Sequence, residues 1–234
     1  MSLLNNLIAA ILADDSSAAK KHLQADASLA TCLIQKPKLY GSGISHWIYV
    51  GDTALHLAAA GYRVKIVQLL LASGADPNAA RNHRKSTPLH YAADGFITGP
   101  AWDAKRQVAT IRCLLQNGAD IHSQDQNGAT PLHRAVRTRC AAAVKCLLAV
   151  GSDPTILNKP GSTAFHLAVQ NTGRGGSGAP AAVSAQREII KTFLSFGVSP
   201  SLKTPTGKTV AASAQSDWIR DLLARSVGQA SGLP

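Results

Sequence analysis

A four-residue phrase returns along this chain: Thr53-Ala54-Leu55-His56, Thr87-Pro88-Leu89-His90, Thr130-Pro131-Leu132-His133 and Thr163-Ala164-Phe165-His166, with an eroded fifth copy from Thr209. Small residues follow each copy: Ala58-Ala59, Ala92-Ala93, Ala135-Val136 and Ala168-Val169. A paired hydrophobic segment and a glycine turn complete the unit, as in Leu70-Leu71 before Gly74, Leu114-Leu115 before Gly118, Leu147-Leu148 before Gly151 and Phe193-Leu194 before Gly197. The threonines stand 34, 43, 33 and 46 residues apart. A unit of this length cannot bury its own apolar face, so the units must stack and share one continuous core.

Local chemistry agrees with a helix pair in each unit. Thr suits the N-cap of a first helix, and Pro next to it loses only an N–H that would be unpaired anyway. Small residues let adjacent helices approach closely, and Gly ends the second helix with a positive φ. Aromatic residues make up only 5% of the 234, so the core is expected to be aliphatic.

These motifs resemble the ankyrin-repeat family over about Gly51 to Leu223. The resemblance implies an all-α solenoid of stacked helix-turn-helix units with β-turn fingers. Divergent caps are expected at both ends. Leu3, Leu4, Leu7, Ile8, Ile11 and Leu12 form a helical stripe, with Ser16 to Gln24 as a partner helix, and Trp218, Ile219, Leu222 and Leu223 recur at helical spacing. The expected division is an N-terminal helical cap and lead-in over 1–50, repeats including a capping repeat over 51–226, and a flexible tail over 227–234.

The four histidines His56, His90, His133 and His166 are expected to be structural. Stacked helices stand about 8 to 10 Å apart, whereas zinc-bound nitrogens each lie roughly 2 Å from one metal. No metal or other cofactor is expected, and the resemblance implies hydrogen bonds around the turn instead. Cys113 and Cys146, one period apart, read as core thiols. Gly173-Arg174-Gly175-Gly176-Ser177-Gly178 matches a nucleotide fingerprint letter for letter, but no strand precedes it, so a glycine-rich loop is the better reading.

The two long spacings come from insertions between first and second helices, at 94–107 and 171–186. They carry Trp102 and Arg174, and they flank Arg137, Thr138, Arg139 and Cys140 in the third repeat. Arginines there offer fixed donors to carboxylate or phosphate. Cys140, at the opening of a helix between arginines, has surroundings that favour thiolate, although no base adjoins it.

The formal charge of +11 favours acidic partners. Binding of an unidentified protein along the concave face is the leading expectation. The resemblance places the contacts on the fingers and first helices: Trp47, Tyr49, Asp52, His83, Arg84, Lys85, Tyr91, Asp94, Arg134, Arg137, Gln170 and Asn171, with Trp102, Arg139 and Arg174 at the insertion edge. The alternative is a small-ligand-binding protein or hydrolytic enzyme near the insertions. There Asp52 or Asp94 would serve as acid or base, Arg137 or Arg174 would hold a small anionic or polar ligand, and Cys140 is a further catalytic candidate. Nucleic acid ranks last, because the basic residues are spread without a reading helix or aromatic platform. No apolar run reaches the roughly 18 residues needed to span a bilayer, the start lacks a basic leader, and the cysteines show no CxxC pairing. A cytoplasmic protein without membrane insertion is expected.

Overall fold

The computed structural model of the chain describes residues 3–40, 44, 46–95, 102–170 and 180–230, the last five by backbone alone. Helix pairs follow the repeated phrase: α3 (Ala54–Ala60) with α4 (Val64–Ala72), α5 (Pro88–Ala93) with α6 (Ala104–Gln116), α7 (Pro131–Arg137) with α8 (Ala141–Ala149), and α9 (Ala164–Ala168) with α10 (Pro180–Ser195). Before them stand α1 (Leu3–Leu12) and α2 (Ser16–Ala25), and after them α11 (Val210–Ser213) and α12 (Asp217–Ala230). The first helices α1, α3, α5, α7, α9 and α11 pack in an inner row, each against the next, while α2, α4, α6, α8 and α10 form an outer row. The expected helical solenoid is therefore the fold.

Two hydrogen-bonding devices repeat at matched positions. Nδ1 of His56, His90 and His133 accepts the backbone N–H of the capping Thr at 3.0, 3.1 and 3.2 Å. The proton is thereby left on Nε2, which donates to a carbonyl of the following repeat: Ser86 at 3.1 Å, Ala129 at 2.9 Å and Ser162 at 3.1 Å. His166 Nε2 makes the corresponding 3.2 Å contact with Lys208 O. Burial pushes the pKa of all four histidines down, that of His90 to about 4, which keeps the rings neutral and able to accept. The second device lies in the fingers, where Asn82, Asp125, Asn158 and Thr204 each accept a backbone N–H four residues on. Gly74, Gly118, Gly151 and Gly197 all end second helices with φ between +74° and +97°.

Two features exceed the expected pattern. The lead-in contains an antiparallel pair, β1 (Lys38–Tyr40) and β2 (His46–Ile48), in register Leu39 with Trp47. Strand alternation buries Ile48 and turns Trp47 outward. The insertions are partly absorbed as helix, since α6 has 13 residues and α10 has 16, against 9 in both α4 and α8. Each lengthened helix carries a buried glutamine that caps the preceding inner helix. Gln107 donates to Ala92 O at 3.0 Å, and Gln186 to Ala168 O at 2.8 Å.

Candidate functional site

Asp94 and Gly95 at the mouth of the insertion, the hairpin strand β2 and the third repeat meet at one place. A groove of about 290 Å³ opens beneath β2, walled by Trp47, Tyr49, Tyr62, Arg84, Asp94, Arg134 and Arg137. Trp47 and Leu39 form an exposed apolar rim, 49% and 48% accessible.

Arg134 organises the floor. It follows His133 directly, at the register position held by Leu57, Tyr91 and Leu167 in the other repeats. Its guanidinium donates to Asp125 Oδ2 at 2.6 Å, to Asp94 Oδ2 at 2.9 Å and to Ser86 Oγ at 3.1 Å. Burial would raise the Asp94 carboxyl pKa. The hydrogen bond from His46, whose Nε2 lies 3.5 Å away, and the charges of Arg134, His46 and Arg137 outweigh it and hold the carboxyl well below its usual range. Asp125 is held low in the same contest between burial and Arg134, helped by the N–H groups of Asn127 and Ala129. The Arg134 pKa rises because its two carboxylate partners overcome its own desolvation. Such a group is costly to break, since removing one member leaves a buried charge uncompensated.

Valences are left over around this floor. Asp94 is nine-tenths buried, yet its Oδ1 has no hydrogen-bond partner among the described residues, and Arg137 Nη2 stands 4.0 Å from it. Arg84 donates through Nη1 to Tyr49 Oη at 2.8 Å, with its guanidinium over the Tyr49 ring at 5.4 Å, while its Nε is buried without a hydrogen-bond partner among the described residues. The Arg137 side chain is half exposed.

Several residues expected on an open surface are instead inside. Asp52 is fully buried, its Oδ1 accepting from Asn82 at 2.8 Å and its Oδ2 from Tyr49 N and Tyr91 Oη, both at 2.7 Å. Tyr91 is buried by that bond and by contact with the His46 and His56 rings. Neither can present itself to a partner, because packing between repeats has already taken its polar atoms. Cys140 is also buried, and desolvation pushes its thiol pKa up despite its place at the start of α8. The expected pull toward thiolate is thus reversed. Asp94, held ionised in its ion pair, and Asp52, closed off from solvent, do not fit an acid and base pair in a cleft.

The remaining residues divide by location. Trp47, Tyr49, Arg84, Asp94, Arg134 and Arg137 come together in the groove. His83 is exposed with its ring edge-on to Tyr49, and Lys85 is exposed beside it. Trp102 instead donates to Gln107 Oε1 at 3.1 Å, locking the insertion's far end. Arg139 turns toward α10, donating to Ala182 O at 2.7 Å. Gln170 is half-buried just beyond α9, with its backbone O accepting from Gln186. Asn171, Arg174 and the glycine-rich motif lie outside the described residues.

His46, Leu39 and Asp125 belong to the site but escaped selection from the sequence. Asp125 had a readable signal: it is the one charged residue at a finger position otherwise held by Asn82, Asn158 and Thr204.

Comparison with known proteins places this geometry. Residues 101–177 match a family described as ankyrin repeats in three copies, and residues 50–82 match a single ankyrin repeat. Alpha-latrotoxin-Lt1a of Latrodectus tredecimguttatus is 36% identical over 89 residues, 37% of this chain and 6% of the toxin. Ankyrin repeat and SOCS box protein 3 of Bos taurus is 33% identical over 113 residues, covering 38% of this chain and 21% of the relative. Ankyrin repeat domain-containing protein 53 of Homo sapiens is 34% identical over 87 residues, 37% of this chain and 15% of that protein. The chain thus matches only a minor part of each relative's length. With capped inner helices, glycine-ended outer helices and histidines bridging each repeat to the next, the chain belongs to the ankyrin-repeat family.

Proposed function

We propose that this chain is a protein-interaction module that holds an acidic partner along its concave face, at the inner-helix end spanned by the first three repeats. Ankyrin repeats in general serve as protein-interaction modules. The observation that carries the location is the groove beneath β2, where an exposed tryptophan and the half-exposed Arg137 stand over a preformed polar floor. Arginine and aromatic anchors around a desolvated centre are what interfaces favour. The charge of +11 supports an acidic partner. On this reading residues 1–50 and the last helix pair act as caps. The four free cysteines, Cys32, Cys113, Cys140 and Cys146, support a reducing, cytoplasmic setting. Among the described residues no helix is long and apolar enough to cross a membrane.

Affinity capture from native extract tests the reading by comparing the unaltered chain with a Trp47→Ala/Arg137→Glu variant. Both positions are exposed, so the fold should survive. The variant is expected to lose the proteins that the unaltered chain retains. Equal recovery by both would overturn the assigned face.

A further inference from the structure

His46 sits in β2 against the C-terminal end of α5, and the groups that touch its ring are rich in electrons. Nδ1 lies 2.7 Å from the backbone O of Trp47. Nε2 faces Asp94 Oδ2 at 3.5 Å. The same carboxylate oxygen accepts from Arg134 at 2.9 Å, an ion pair that keeps Asp94 charged. The ring also lies on Tyr91, with centroids 4.5 Å apart and planes tilted by 37°. Tyr91 in turn donates its hydroxyl proton to the buried Asp52 at 2.7 Å. A positive charge against such an aromatic face is attracted by the ring quadrupole.

A neutral imidazole fits these surroundings badly in either tautomer. With its proton on Nδ1, the ring turns the Nε2 lone pair toward a charged carboxylate. With its proton on Nε2, it turns the Nδ1 lone pair toward a carbonyl oxygen. Only the imidazolium donates at both ends. The other charged and titratable groups around the ring do not reverse this. His56 of α3 faces it uncharged, because burial pushes that histidine's pKa down. Arg134 of α7 is bound between Asp94 and Asp125, and Arg137 of the same helix stands 4.0 Å from the other oxygen of Asp94. Arg84 of the finger is turned to Tyr49. The His46 side chain is 21% accessible, so its proton comes from water and returns to it.

We infer that His46 is a proton-operated latch: protonation ties β2, and with it Trp47 at the groove rim, to Asp94 at the end of α5, and loss of the proton releases the hairpin. The latch belongs to the chain by itself and does not depend on the protein-partner reading. Where a partner uses Trp47, the same proton sets the rim it meets.

The test is hydrogen–deuterium exchange of the full chain at about pH 7.5 and about pH 5.5, on either side of the ordinary histidine range, with rates corrected for the intrinsic pH dependence of amide exchange. Protection of residues 46–50 is expected to rise about threefold to tenfold at the lower pH, since a proton held only in the closed form shifts an opening equilibrium by at most about tenfold per pH unit. Acid softening of the whole fold lowers protection, so the sign separates the two effects. His46→Gln carries a donor that does not titrate and should abolish the response. No change or a fall in the unaltered chain, or the same rise in His46→Gln, overturns the latch. Ring 15N NMR of the unaltered chain gives a second reading that needs no variant. The Nε2–H signal of His46 should be visible at the lower pH, where its bond to Asp94 slows exchange with water, and lost at the higher. Its absence at the lower pH, or its persistence at the higher, overturns the latch as well.

Discussion

The seam between the second and third repeats is held by charge, and the core of the fourth by aromatic stacking. In the first, Arg134 is buried with Asp94 and Asp125. In the second, the Phe165 and Phe193 rings lie 4.7 Å apart and nearly parallel. Both follow the same repeat pattern, and Leu167 occupies the register position of Arg134. The repeat sets where a side chain goes, while the choice of side chain decides whether the seam is inert packing or a polar floor that can support recognition. An aromatic stack is saturated by its neighbours. The ionic floor leaves the half-exposed Arg137 at the wall of a groove.

The contrast is broken most severely at Arg134. Arg134→Ala should cost about 3–5 kcal/mol at neutral pH, because two carboxylates are left buried without their cation. Phe193→Ala should cost about as much, roughly 3–5 kcal/mol, through its cavity. Urea unfolding at pH 7 and at pH 3 separates the two. Asp94 and Asp125 have depressed native pKa values, so the stability they contribute is present above their unfolded pKa and fades as pH falls below about 4. The Arg134→Ala penalty should therefore shrink at pH 3, and the Phe193→Ala penalty should not.

The histidine bridges come next. His90 titrates near pH 4 in the fold and near 6.5 when unfolded, so the unfolded chain binds more protons between those values and stability falls as pH drops. The loss from His90 alone is on the order of 3 kcal/mol across pH 6.5 to 4. His90→Gln should flatten that part of the urea-midpoint profile, whatever it costs at pH 7.

A smaller effect is expected at Gly95. A Cβ there would press into Cys140 Sγ and the Trp102 indole. Gly95→Ala should cost roughly 1–3 kcal/mol, typical of overpacking, and thermal melts would show it. Least of all, Arg137→Ala should change stability by no more than about 0.5 kcal/mol, as its side chain is half exposed.

Much of this architecture could be read before any coordinates. The Thr–His phrase, the small residues behind it and the terminating glycines locate the helix pairs, because each has a local backbone or packing reason to sit where it does. The hairpin was not legible: its strands are three residues long and lie in a single-copy lead-in that no repeat flags. The burial of Asp52, Tyr91 and Arg134 was hidden for a different reason. Whether a polar side chain at a repeating position faces water depends on its partners 9 to 40 residues away, and Asp94 stands at the mouth of an insertion that has no counterpart in the regular repeats. Comparing odd residues across copies, Arg134 against Leu57 and Leu167, and Asp125 against Asn82 and Asn158, comes nearest to exposing the network.

The most direct measurement is hydrogen–deuterium exchange of the chain with and without the protein it captures. Slowed exchange should be confined to residues 46–52, 83–95 and 134–139. Protection centred on residues 157–170 and 199–213, with the groove unchanged, would contradict the account.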